Sequence, residues 1–142
     1  MEKEILHKEI DLIQNVINRM ANNSFLLKGW MISIIVAVLA LTKDTLVTND
    51  LTYFSLVLLL PLFSFWYLDA FFLHKEKCYR QLYKWVIENR QSSNENLYSL
   101  DYKKFEENVD GIFKIMRSNT LAVFYGFTAI ILIIITIYNA FQ

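Results

Sequence analysis

Proline, glycine and cysteine are all scarce: one, three and one in a chain of 142 residues. So little glycine and proline excludes turn-rich β architectures, whose corners need these residues. The lone Cys78 excludes an internal disulfide framework and a cysteine-rich metal site. The two histidines, His7 and His74, are far apart. No G-x-x-x-x-G-K, H-E-x-x-H or G-x-S-x-G motif occurs, so catalysis, a metal and a cofactor are not expected. An excess of either charge is missing too: Lys+Arg and Asp+Glu are both 14. What is abundant is apolar surface, with 55% hydrophobic and 15% aromatic residues. A soluble domain of this size needs a larger polar share to cover itself. The composition excludes a secreted disulfide domain, a disordered chain and an ordinary soluble enzyme, and points to an all-α membrane protein.

A helix needs about 20 apolar residues to cross a bilayer. Three stretches qualify: residues 24–41, 51–73 and 119–139. The third is uncharged and contains six consecutive Ile and Leu residues, Ile130 to Ile135. Thirteen of the 14 cations lie before span one, at its start, or between spans two and three. Lys43 alone lies in the short Thr42–Asp50 loop. The positive-inside rule then predicts a cytoplasmic N-terminus and a cytoplasmic segment 74–118, with the C-terminus outside. The first 23 residues are charged and lack a signal-peptide core, and the expected home is a bacterial inner membrane.

Residues 1–23 read as an amphipathic helix. Leu6, Ile10, Ile13, Ile17 and Met20 follow a heptad a/d pattern. The register runs on into the membrane through Ser24, Leu27, Met31, Ile34, Val38 and Leu41, so one helix of nearly forty residues is predicted. A seam this long suits self-association around an axis, making Ile13, Ile17, Met20, Leu27 and Met31 candidates for a pore or gate. The alternative is a helix lying on the membrane or packing on its own chain, since Ile5, Leu12 and Val16 widen the stripe. Asn22, Asn23 and Ser24 interrupt the seam where it meets the membrane. They form either a polar ring at a pore mouth or a helix cap or kink.

Gly29, Ser33 and Ala37 make a small-residue stripe on the opposite face, repeated by Ser118, Ala122 and Gly126. The pattern predicts close packing of spans one and three, within or between chains. Lys28 and Asp69 are the only ionisable residues inside the spans and should reach the same depth in an antiparallel hairpin. A salt bridge between them is expected; separate snorkelling and contact with an ion or ligand are the alternatives. Trp30, Trp66 and Tyr67 suit an interfacial aromatic belt, and Pro61 should kink the second span.

In the segment 74–118, His74 to Arg90 should prolong span two as a helix, followed by a polar loop, Gln91–Asn96. Asp101 to Met116 reads as a second helix with Phe105, Val109, Ile112, Phe113 and Met116 on one stripe, completing a hairpin. Arg19, Lys77, Arg80 and Lys84, interleaved with Tyr79, Tyr83 and Trp85, are candidates to hold a nucleotide or a single-stranded DNA oligomer. The same composition also follows from the positive-inside rule with interfacial aromatics.

Two stretches carry a resemblance. One runs Ile13-Gln14-Asn15-Val16-Ile17-Asn18-Arg19-Met20-Ala21-Asn22-Asn23-Ser24-Phe25 and on to Leu27-Lys28-Gly29-Trp30; the other is Phe65-Trp66-Tyr67-Leu68-Asp69-Ala70 with Tyr79-Arg80-Gln81-Leu82-Tyr83. Together they resemble small bacterial multi-span proteins encoded beside defence genes that make or sense nucleotide signals. The membrane effectors of Hailong-type defence, held shut by a DNA oligomer, are among the proteins this resembles. The match covers roughly residues 13–83 and brings no catalytic motif. It implies an anti-phage effector that permeabilises the membrane when its signal changes. The expectation is therefore a homo-oligomer, a tetramer favoured, forming a gated pore. The competing expectation is a non-conducting scaffold that recruits a cytoplasmic partner through residues 74–117.

Overall fold

A computed structural model describes residues 3–43, 53, 55–90 and 97–141. The expected loops Thr42–Asp50 and Gln91–Asn96 lie outside these, except that Thr42 and Lys43 end the first helix. Among the described residues, three helices are long and apolar enough to cross a membrane, within Lys3–Leu41, Ser55–Asn89 and Asn119–Tyr138. The fold is all-α.

Helix α1, Lys3–Lys43, has 41 residues. At 1.5 Å per residue that is about 61 Å, roughly twice a hydrocarbon core. No proline interrupts it, and Asn22, Asn23 and Ser24 are helical, so they are neither cap nor break. Helix α2, Leu59–Asn89, prolongs the second span well beyond the apolar run. Residues 55–57 precede it as helix, and the ladder lapses at Leu58 while its backbone stays right-handed (φ −64°, ψ −18°). Pro61 accounts for the lapse: without an N–H it cannot bond the Val57 carbonyl.

Helices α1 and α2 form an antiparallel hairpin. Glu9 meets Arg90, Gln14 meets Tyr83 and Ser24 meets Asp69, so partners descend on α2 as they climb on α1. The hairpin holds two apolar cores. Ile13 and Ile17 pack with Leu82 and Val86 near one end. Met31, Ile35, Leu58 and Leu62 lie in the other, with Leu121 and Tyr125.

This placement corrects the heptad reading. The seam faces α2 of the same chain, and Ile13 is 0% exposed against it. The expected axis between copies is therefore already filled within one chain. The register also drifts: buried Met31 is followed by buried Ile35, while Ile34 is exposed. A helix at 3.6 residues per turn leaves a strict 3.5 repeat behind by about 20° per heptad.

The expected second helix over Asp101–Met116 is also corrected. The chain makes a short 3₁₀ helix, Lys103–Asn108, an extended Val109 and a five-residue α3, Ile112–Met116. Val109, Asp110 and Gly111 are three successive poor helix formers. The Asp101 carboxylate accepts the Lys103 N–H at 3.0 Å, a local turn that competes with helix. The segment still folds back on α2, with Phe105 tilted against Trp85 and Tyr102 against Tyr79. Phe113 leaves the expected stripe and is 76% exposed.

Helix α4, Asn119–Ala140, packs on α2. Among the described residues no Cα of α4 comes within 8 Å of one in α1. Nothing lies within 4 Å of where a Cβ would sit on Gly29 or Gly126. The small-residue stripes thus do not meet inside the chain.

Candidate functional site

The two ionisable residues of the spans sit at a junction of all three long helices. Asp69, on α2, is 0% exposed. Lys28 Nζ on α1 lies 2.5 Å from Asp69 Oδ2. Ser24, one turn earlier on α1, donates its hydroxyl to Asp69 Oδ1. Tyr125, on α4, donates its phenol to Oδ2 at 2.9 Å. Lys28 also donates to Ser24 Oγ at 3.1 Å. Ser24 and Lys28 share a face because residues four apart are helix neighbours.

The reason for this crowding is energetic. A lone carboxylate in an apolar interior is prohibitively costly, so it must be paired and its lone pairs filled. Here one cation and two hydroxyls converge on it. Packing fixes the donors: the Tyr125 ring stacks on Trp66 at 5.8 Å, and Trp66 Nε1 donates to the Met116 carbonyl at 2.9 Å. Of the expected belt residues, Trp66 therefore belongs to the core, while Trp30 and Tyr67 are exposed. Arranged in this way, the site can join or release three helices.

The other candidates for a pore or gate are dispersed. Met31 and Ser24 are buried; Met20, Asn23 and Leu27 are half-buried; only Asn22 is fully exposed. The proposed ligand residues are not gathered either. Arg80 lines an open cleft of about 400 Å³ with Gln14, Asn18 and Tyr83, but bonds Glu76. Lys84 lies 3.9 Å from Glu88, Lys77 is exposed, and Arg19, exposed on α1, is near enough to Tyr79 for its charge to act on the phenol.

Sequence reasoning missed a second buried pair, Glu9 with Arg90. Arg90 donates Nε to Oε2 at 2.7 Å and Nη2 to Oε1 at 2.6 Å. Both side chains are 1% exposed. The Tyr98 N–H adds a bond to Oε1 at 3.1 Å, from a backbone held at φ 61°. A signal was present: Glu9 lies four residues before Ile13, a charge on the apolar stripe.

Below the membrane-spanning part of α2, Lys75 is shared by Tyr102 at 2.6 Å and Glu106 at 3.0 Å. Burial alone would lower its pKa; the two hydrogen bonds outweigh it and hold the ammonium above its ordinary range. A cation's raised pKa stabilises the fold at every pH below its unfolded value and is lost only above it. This bridge therefore holds throughout the neutral range. His74 Nδ1 lies 3.0 Å from the Asp110 carbonyl, which can only accept, and Nε2 lies 3.7 Å from Cys78 Sγ. Burial pushes the Cys78 thiol up. Cys78 is accordingly expected to resist a maleimide in the native protein at neutral pH and to react once denatured. Rapid native labelling, read by mass shift, would contradict its burial.

Comparisons with family models, with curated proteins and with solved structures find no match to this chain.

Proposed function

We propose that several copies of this chain, a tetramer favoured, form a gated pore in the bacterial inner membrane. The reading continues with a defence effector controlled by a nucleotide or oligonucleotide signal, its N-terminus cytoplasmic and its C-terminus outside. The observation that carries it is the Asp69 junction. An ionisable group inside a membrane bundle is costly and marks function by default. This one joins all three long helices, so its rupture would release them together.

With the seam occupied internally, the pore wall falls to the opposite face of α1. Asn22, Gly29, Ser33 and Ala37 are exposed there. These small or polar positions offer water a path along α1 beside the exposed Phe25, Leu26 and Trp30 of the same face. The resemblance over residues 13–83 supports the defence role.

The test is overexpression in bacteria that carry a membrane-potential dye and lack any cognate signal enzyme. Depolarisation is expected, and Ser33→Leu, outside the junction, is expected to abolish it with the protein still in the membrane. No depolarisation by the unaltered chain would favour the scaffold acting through residues 74–117. Depolarisation undiminished by Ser33→Leu would remove α1 from the pore wall.

A further inference from the structure

We propose that the groove between α1 and α4 is a binding site for an anionic phospholipid, one acyl chain lying in the groove and the headgroup at Lys28. Both helices pack on α2 and leave a groove of about 780 Å³ between them. Its chemistry is graded along its length. Asn119 and Thr120 line its polar end and Phe127 and Ile131 its apolar end, while Lys28 and Ile32 face it from α1 one turn apart. From Asn119 to Ile131 is about 18 Å of helix, close to the roughly 15 Å half-thickness of a hydrocarbon core. A chain of lipid length fits this run with its polar end at the ammonium.

Charge selects the occupant. Lys28 keeps 22% of its side chain exposed, and this part faces the groove. Arg117, two residues before Asn119, is exposed beside the same end. A helix from a second copy is the rival occupant, but it brings no anion. The three spans contain a single carboxylate, Asp69, which is wholly buried in its own chain. A phospholipid carries a phosphate, which can share Lys28 with Asp69 and meet the exposed Arg117. Such a headgroup would meet the junction through Lys28, the member that stands between the groove and Asp69.

The proposal does not depend on whether the chain conducts. It is tested on the full chain in vesicles of equimolar phosphatidylglycerol and phosphatidylcholine. A photoreactive p-benzoylphenylalanine replaces Phe127 in the groove or, as a reference for bulk lipid, Leu60, exposed on α2. Lipid adducts are then identified by mass spectrometry. The phosphatidylglycerol-to-phosphatidylcholine adduct ratio is expected to be about fivefold higher at position 127 than at 60, the size of one interfacial cation's contribution. Arg117→Gln should bring it towards the bulk ratio, and Lys28→Met should do so more fully. Arg117 lies outside the junction, so that variant keeps the test valid if the Lys28 variant misfolds. Equal ratios at the two positions would overturn headgroup recognition. Adducts to a second copy of the chain at position 127 would show a helix in the groove and overturn the proposal outright.

Discussion

Asp69→Ala should be the most damaging single change, with a loss of about 3–5 kcal/mol, the usual cost of breaking a buried pair from one side. The alanine leaves Lys28, Ser24 and Tyr125 without their common acceptor. The ammonium suffers most, because it loses its ion-pair partner in a largely apolar place. Thermal unfolding of the purified protein in detergent reads the effect directly. The double variant Lys28→Met with Asp69→Leu separates charge from packing. Replacing both members by apolar groups of similar volume is often neutral, so it should recover most of the stability. It should not restore regulated depolarisation if the junction is the gate. A double variant as unstable as Asp69→Ala would show that the hydroxyl bonds, not the ion pair, hold the helices.

Arg90→Ala is expected to cost a similar amount, about 3–5 kcal/mol, through a different part of the molecule. It strands the Glu9 carboxylate, 1% exposed, with one backbone N–H from Tyr98. The effect should be local as well as global. Amide exchange in residues 3–20 is expected to accelerate, because that stretch docks on α2 through Arg90 and a small apolar core. Arg90→Lys should rescue little, since a lysine cannot reproduce the two-pronged bond to Oε1 and Oε2. Unchanged exchange in residues 3–20 would show that Ile13 and Ile17 suffice to dock the N-terminal half.

The three long helices were legible in the sequence because each declares itself locally, by an apolar run without proline or glycine clusters. Lys28 and Asp69 were legible for a related reason: an ionisable residue in such a run has few permissible partners. Their companions were not. Ser24 reads as a break in a seam, and nothing in the sequence singles out Tyr125 within its span. Both join the site only because tertiary packing brings residues 45 and 56 positions from Asp69 into contact with it. Glu9 and Arg90 are 81 positions apart, beyond any periodicity. The heptad seam was real as a pattern but silent about its partner. A stripe of Ile and Leu fits the chain's own α2 as well as another copy's α1, and the short route back along a hairpin wins. The segment after Tyr98 misled for the opposite reason: its apolar spacing suggested a helix that Val109, Asp110 and Gly111 do not permit.

Helix α1 carries both buried polar junctions on one unbroken rod, which makes it a lever. Ser24 is the fulcrum, and Glu9 lies about 22 Å away along the axis at 1.5 Å per residue. A swing of only about 5° about that point carries Glu9 by about 2 Å at such an arm length. That is enough to part oxygen from nitrogen where they are set 2.6 and 2.7 Å apart. Small rotations at membrane depth therefore become bond-breaking displacements at the far tip, and a push at the tip returns as torque on the buried carboxylate.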